Sequence, residues 1–466
     1  MPPSASLGTW VLVWTLTAII ILVGRSRSRV LGVGLVPAFV INYALGYWFS
    51  AAADLLPWQP YYDRDVVAVG FRVSTYGLIA FGMGSLVVAP RLAGAAAPLR
   101  ARLSVPTAHL IRAYILLGLV SFLVLLPVVG RLPTAGALAF QGWNLLIIGL
   151  GLGWWRAWQS RSRQAAAFWL VATLCLPLLT VLTQGFLGYG TVASIAVLTF
   201  IGSFYRPRWR LAVASVVLLY LALSLYVTYI RDRDAIRGSV WGGEPLAARL
   251  QQLYGTLSTL EWFDLGNDEH LRRVDLRLNQ NYLVGSAVQY IDAGLADYAY
   301  GRNLMDGVLS LIPRAIWPSK PFFAGSGNVV AQYTGLVFAE GTAVGIGTLL
   351  EAYISFGTAG VVVGFLLLGT LVGGVDAAAG RRVRDGDWFG LVRWFLPGLA
   401  LLQVEGSMIE LTSSAGAAFV VALLANRIVA GVATDGGRLG ASVAEPAQPR
   451  VPRSPRLPRT SEVGRP

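Results

Sequence analysis

Arg314 and Lys320 stand six residues apart in "LIPRAIWPSKPFF" (311–323), and Lys320 is the only lysine of the chain; the other 36 of its 37 basic residues are arginine. A guanidinium offers a planar fork of donors and an ammonium a compact point charge, so together they suit a diphosphate. Pro313 and Pro318 prevent a continuous helix here. Trp317, Phe322 and Phe323 are residue types favoured at a membrane interface. The stretch therefore reads as a rigid loop wedged at the membrane surface, holding Arg314, Trp317 and Lys320 at headgroup level. The alternative for its two cations is snorkelling to ordinary lipid phosphates.

Four further ionisable residues lie in or beside apolar runs, where charge is costly and usually faces a cavity. Arg72 sits in "VVAVGFRVSTYGLIAFGMG" (66–84), Glu351 in "GTLLEAYISFGTAG" (347–360), and Glu405 and Glu410 bracket the end of another run. Each alone also fits a snorkelling or helix-terminal charge; their gathering toward one face favours a functional reading. The glycine-rich stretch 347–360, with the run after it, is too long for one span. A re-entrant or interfacial half-helix solves the length problem and turns Glu351 toward a cavity.

The elements that must position these residues are membrane helices. With 55% hydrophobic and only 13% charged residues, and a mean hydropathy of +0.61, the chain is too apolar for a soluble globular protein. Its apolar runs are continuous rather than alternating, which excludes a β-barrel. Eleven spans are expected, near 7–24, 30–50, 66–90, 108–129, 133–154, 165–183, 187–205, 211–230, 358–376, 388–404 and 412–430. The first is expected to be retained, since no basic residue precedes it and arginines follow it.

Basic linkers at 25–29, 91–102, 156–163, 206–210 and 381–384 fall on alternate turns, which places them inside, the N-terminus outside and the C-terminus in the cytoplasm. The net charge of +13 is then positive-inside topology and not a nucleic-acid signal. The resulting organisation is a membrane domain over 1–230, a large extracytoplasmic loop over 231–340, a second membrane domain over 341–432 and a basic tail over 433–466. Half of the 24 acidic residues lie in the loop. Within it, 244–263 has helical apolar spacing. The tail repeats Pro and Arg every third residue in "PRVPRSPRLPR" (449–459), a polyproline-like pattern suited to anionic lipid.

"IPRAIWPSKP" (312–321), followed by "EAYISFGTAG" (351–360), resembles the Wzy-type O-antigen or oligosaccharide repeat-unit polymerases. The resemblance implies an all-α polytopic fold of about eleven transmembrane helices, GT-C-like, in the bacterial cytoplasmic membrane. It implies polymerisation of undecaprenyl-diphosphate-linked oligosaccharides at the outer face, with lipid-linked donor and acceptor, no cofactor, and a chain-length regulator and flippase as partners. Arg314 and Lys320 would neutralise the leaving diphosphate, and Glu351 would be the base or acceptor-orienting carboxylate. Arg231 with Gly242, and Arg314 with Gly325, fit an arginine–glycine spacing on which some members depend. Arg72, Glu405 and Glu410 join them as substrate-binding candidates. Two alternatives remain: a ligase, which would rely on an outer histidine where this chain offers only His270 in a stretch reading as solvated surface, and a flippase. The loop has no Asp-x-Asp or paired histidines at metal-ligand spacing.

Overall fold

The computed structural model describes residues 3–28, 32–92, 107–130, 132–205, 208–312, 316–317, 319, 326–338 and 344–443, without the side chains of 3–6, 133, 208 and 432–443. Those residues are helical, with no strand among them. Among the described residues nine helices are long and apolar enough to cross a membrane. They are α1 (Leu7–Arg27), α2 (Leu35–Ala53), α3 (Arg64–Leu92), α4 (Thr107–Val129), α5 (Thr134–Gln159), α6 (Arg163–Gln184), α8 (Trp209–Trp241), α14 (Gly347–Arg384) and α16 (Met408–Gly431). The two other expected spans are also helices, α7 (Gly188–Phe204) with 17 residues and α15 (Trp388–Ala400) with 13. Between α8 and α14 come α9 (Leu246–Ser258), α10 (Asp268–Leu278), α11 (Gln280–Asp292), α12 (Arg302–Ser310) and α13 (Ser326–Thr334). The helix expected from the spacing of 244–263 is α9.

The centre of the bundle is aromatic. Phe39 stacks on Phe81 at 4.1 Å, Tyr43 lies 4.4 Å from Tyr47, and Phe365 packs against both Phe39 and Tyr43, so α2, α3 and α14 share one core. Without water to drive association, membrane helices gain from close van der Waals approach. Two glycine contacts on α3 provide it: a Cβ on Gly70 would lie 2.0 Å from the Asn281 carbonyl of α11, and one on Gly84 2.2 Å from the Leu366 carbonyl of α14. At the end opposite residues 242–346, Asp376 of α14 is fully buried. It pairs with Arg25 at 2.8 Å and accepts from the amides of Val33 and Leu35, tying α1, the entry to α2 and α14 together.

Two departures from regular helix shape the other end, called here the loop end. The half-helix expected around 347–360 is present: α14 is interrupted at Phe356 and Gly357, and Gly357 has φ 61 and ψ −150, a region open only to glycine. The break frees the carbonyls of Ile354 and Ser355, which accept from the amides of Ala299 (2.7 Å) and Tyr300 (3.1 Å). In α2, a wider π turn over Ala44–Trp48 contains Gly46 and Tyr47. One extra residue in a turn re-aims the side chains that follow.

Candidate functional site

Two helix N-termini meet at the loop end. The first turn of α14 is tied to the connection 401–407, with Gly347 N donating to the Glu405 carbonyl at 3.0 Å and Thr348 N to the Val404 carbonyl at 3.2 Å. In return, the Glu351 carboxylate of α14 accepts from Met408 N, the first amide of α16. Glu410 closes a capping box on the same turn: its carboxylate accepts from Ser407 N at 3.0 Å, and its amide donates to Ser407 Oγ at 3.1 Å. Both helix starts carry partial positive charge, which carboxylates offset. That explains why Glu351, Glu405 and Glu410 cluster here.

The three carboxylates are not equivalent. Glu351 is 3% exposed, its electrostatic neighbours are Glu410 and Asp306, and its backbone carbonyl accepts from Asn303 Nδ2 at 3.1 Å. It is engaged as a cap, among other acids. Glu405 has no hydrogen-bond donor on its side chain among the described residues. Its side chain is exposed, while the protein crowded around it pushes its carboxyl above the usual carboxylate range.

Around Glu405 is a cluster of polar groups, called here the chamber. Tyr47 is fully buried, its hydroxyl has no partner among the described residues, and it lies within electrostatic reach of Glu405. The Tyr47 hydroxyl and the unpartnered Gln280 Oε1 lie 3.2 and 3.9 Å from where a Cβ on Gly347 would stand, so a side chain there would crowd both. Glu405 Oε1 and Gln280 Cγ approach the corresponding position on Gly46, at 3.8 and 3.6 Å. The unpartnered Thr348 hydroxyl is one residue further on. Tyr226 of α8 lies within electrostatic reach of Glu405, Arg277 and Arg233. Arg277 is exposed with no protein hydrogen bond among the described residues, and Arg233 makes only a 3.7 Å contact to Asp234. The chamber thus offers one carboxylate that is donor-free among the described residues and several unpartnered acceptors, with two guanidinium groups within electrostatic reach of neighbouring Tyr226.

The other sequence candidates divide clearly. Arg314 and Lys320 lie outside the described residues. Trp317 bonds Ser319 Oγ at 3.1 Å through its indole N–H. Arg72 is exposed, lies near Tyr353, and makes no ion pair among the described residues, Glu351 included. Arg231 has all five N–H groups engaged, by Asp232, Glu261 and the carbonyl and hydroxyl of Thr259, which pins 259–261 to α8. His270 corrects the expectation of solvated surface. It is 6% exposed, its Nδ1 accepts from Asp264 N at 3.1 Å, and its Nε2 lies 3.3 Å from Glu261. A helix face that packs on Phe263 and a neighbouring carboxylate draw it inward.

Tyr47, Gln280, Tyr226, Arg233 and Arg277 were not singled out by sequence. The π turn that presents Tyr47 leaves no mark in residue type, and the two arginines are indistinguishable in sequence from the loop's other seven. No group of three or more histidine, cysteine or acidic side chains among the described residues is arranged to hold a metal.

No curated protein and no solved structure matches this chain. Residues 65–383, 319 of the 466, match the family described as Domain of unknown function (DUF8712). That match takes in the break in α14, residues 242–346, Arg233 and Arg277, and the protein belongs to this family.

Proposed function

We propose that this protein is a membrane glycosyltransferase that polymerises oligosaccharide repeat units carried on a lipid diphosphate, at the outer face of a bacterial cytoplasmic membrane. The single observation that carries the reading is the Glu405 carboxylate, donor-free among the described residues and within electrostatic reach of Tyr226, on which Arg233 and Arg277 also act. In this reading residues 231–340 are outside, the arginine-rich linkers are inside and the chain crosses eleven times. No nucleotide sugar or cofactor takes part; a flippase supplies the lipid-linked units, and a chain-length regulator is a further partner.

The chemistry follows from the residue types. A sugar hydroxyl is a poor nucleophile and needs a base. Glu405 takes its proton while the hydroxyl oxygen bonds to the anomeric carbon of the donor. The bond from that carbon to the diphosphate oxygen breaks, and the lipid diphosphate leaves with its negative charge. Arg233 and Arg277 offset that charge as it develops, and Arg314 and Lys320 are assigned the same role by their residue types. Tyr47 and Gln280 orient the attacking hydroxyl. The ligase alternative loses its histidine, because both ring nitrogens of His270 are engaged.

The test is purified protein in lipid with a defined lipid-linked repeat unit, read as a gel ladder. Glu405→Gln is expected to slow elongation by roughly 100-fold or more, the usual contribution of a general base. Wild-type ladders from that variant would remove the base from this site.

A further inference from the structure

A second hollow, of about 410 Å³, opens in the outer segment beside α8. Its construction begins with two hydroxyls one turn apart on α8: Thr228 Oγ1 accepts from Glu261 N at 2.9 Å and Ser224 Oγ accepts from Phe263 N at 3.0 Å. Pinning alternate amides holds 261–263 extended along the helix. The residue between them, Trp262, is left 56% exposed, its ring parallel to Tyr220 within 8° at 6.0 Å. His270, stacked on Phe263, forms the floor, and Asn267, Glu269 and Arg273 from the start of α10 form the far wall.

Nothing in this lining is loose. Glu261 sits between Arg231 at 2.8 Å and Arg273 at 2.7 Å, and Glu269 lies 3.3 Å from Arg273. Asn267 caps α10 by accepting from the amides of Glu269 and His270. The hollow therefore presents fixed, planar donors and acceptors opposite an exposed indole. Its lining holds three acids, Glu261, Asp264 and Glu269, against one arginine, which disfavours a phosphate or an anionic headgroup. A pyranose has the matching form: a C–H face that packs on an aromatic ring, and a rim of hydroxyls that both donate and accept.

We propose that this hollow binds a sugar ring of the glycan, with Trp262 under its C–H face and Glu261, Asn267, Glu269 and Arg273 around its hydroxyls. The inference rests on the glycosyltransferase reading and adds a site for the carbohydrate apart from the chamber at Glu405. Such a site keeps hold of the glycan between additions.

The experiment uses full-length protein in lipid nanodiscs and, as probe, the soluble oligosaccharide released by mild acid from the cell's lipid-linked glycan. Saturation-transfer NMR is expected to show binding to the wild type and to Glu405→Gln. Trp262→Ala should weaken it at least tenfold, while Trp262→Phe, which keeps an aromatic platform, should retain it and serve as the folding control. The polymer ladder of Trp262→Ala should shorten without losing its first step. Equal binding by Trp262→Ala and wild type would overturn the site, as would displacement of the oligosaccharide by inorganic phosphate. Wild-type protein that elongates lipid-linked units yet does not bind the oligosaccharide would overturn the site alone; protein that does neither removes the glycosyltransferase reading with it.

Discussion

Glu351 and Met408 are 57 residues apart in sequence, and the carboxylate of the first accepts the leading amide of the helix that begins with the second. One hydrogen bond thereby joins the half-helix 347–355 to α16. The same turn returns the favour through Gly347 and Thr348, whose amides donate to carbonyls at 405 and 404. The join fixes the connection 401–407 at both ends, and Glu405 lies on it. Glu351 is thus a positioning residue for the chamber.

The roles of Glu351 and Glu405 separate by substitution. Glu351→Ala strands Met408 N in a buried setting and should lower stability by about 1–3 kcal/mol. Glu351→Gln keeps an oxygen acceptor for that amide, so it should melt close to wild type and still elongate. Thermal unfolding in detergent and the gel ladder measure the two effects. An Glu351→Gln protein that is stable but inactive would return the base role to Glu351.

In the proposed reaction Arg233 and Arg277 meet the diphosphate of the donor. A hydrogen bond to a charged group contributes about 1.5–3 kcal/mol, so Arg277→Ala should raise KM for the lipid-linked donor about tenfold or more. Arg277→Lys should recover only part of this, because an ammonium does not reproduce a bidentate fork. Steady-state kinetics at low and high salt test the assignment: the wild type should lose affinity with salt, and the alanine variant should lose less.

How much of this was legible in sequence depends on range. Each expected span is a helix because apolar content over some twenty residues is local information. The capping box "SMIE" (407–410) is readable too, as serine followed three residues later by glutamate. The break in α14 was expected from its length and glycines, and Gly357 meets that expectation. The partner of Glu351 was not legible, since it lies across a loop and a span. Nor was the burial of His270, which depends on where Phe263 and Glu261 fold back. Tyr47 enters the chamber through a π turn, for which no residue pattern is diagnostic.

The alternation of basic linkers gives a topology that labelling checks directly. Ser258 and Ser160 are both exposed, on opposite ends of the bundle. With Cys175 replaced by serine, a cysteine at 258 should react with an impermeant maleimide on intact cells, and one at 160 only after the membrane is opened. Reaction of both on intact cells would reject the proposed orientation.

The last prediction concerns pH and Asp54, one residue beyond the end of α2. It is 5% exposed, and neither carboxylate oxygen has a partner among the described residues. Burial first, and the charge of Asp275 second, push its pKa up from 3.8 to about 7, with Arg64 opposing. Asp275 is the better hydrogen-bonded of the two carboxylates, accepting from the amides of Tyr61 and Tyr62 and from Asn279 Nδ2, so the proton of the pair belongs to Asp54. The folded protein therefore binds a proton that the unfolded chain releases between pH about 4 and about 7. Stability is greatest below that window and falls as pH rises through it. The loop end, where residues 55–63 meet α10, should loosen first. Asp54→Asn supplies a neutral side chain of the same shape, and should be more stable than wild type at pH 8 while matching it below about pH 4. Thermal melts of both proteins at the two pH values decide the matter: parallel melting temperatures would mean that Asp54 holds no proton at neutral pH.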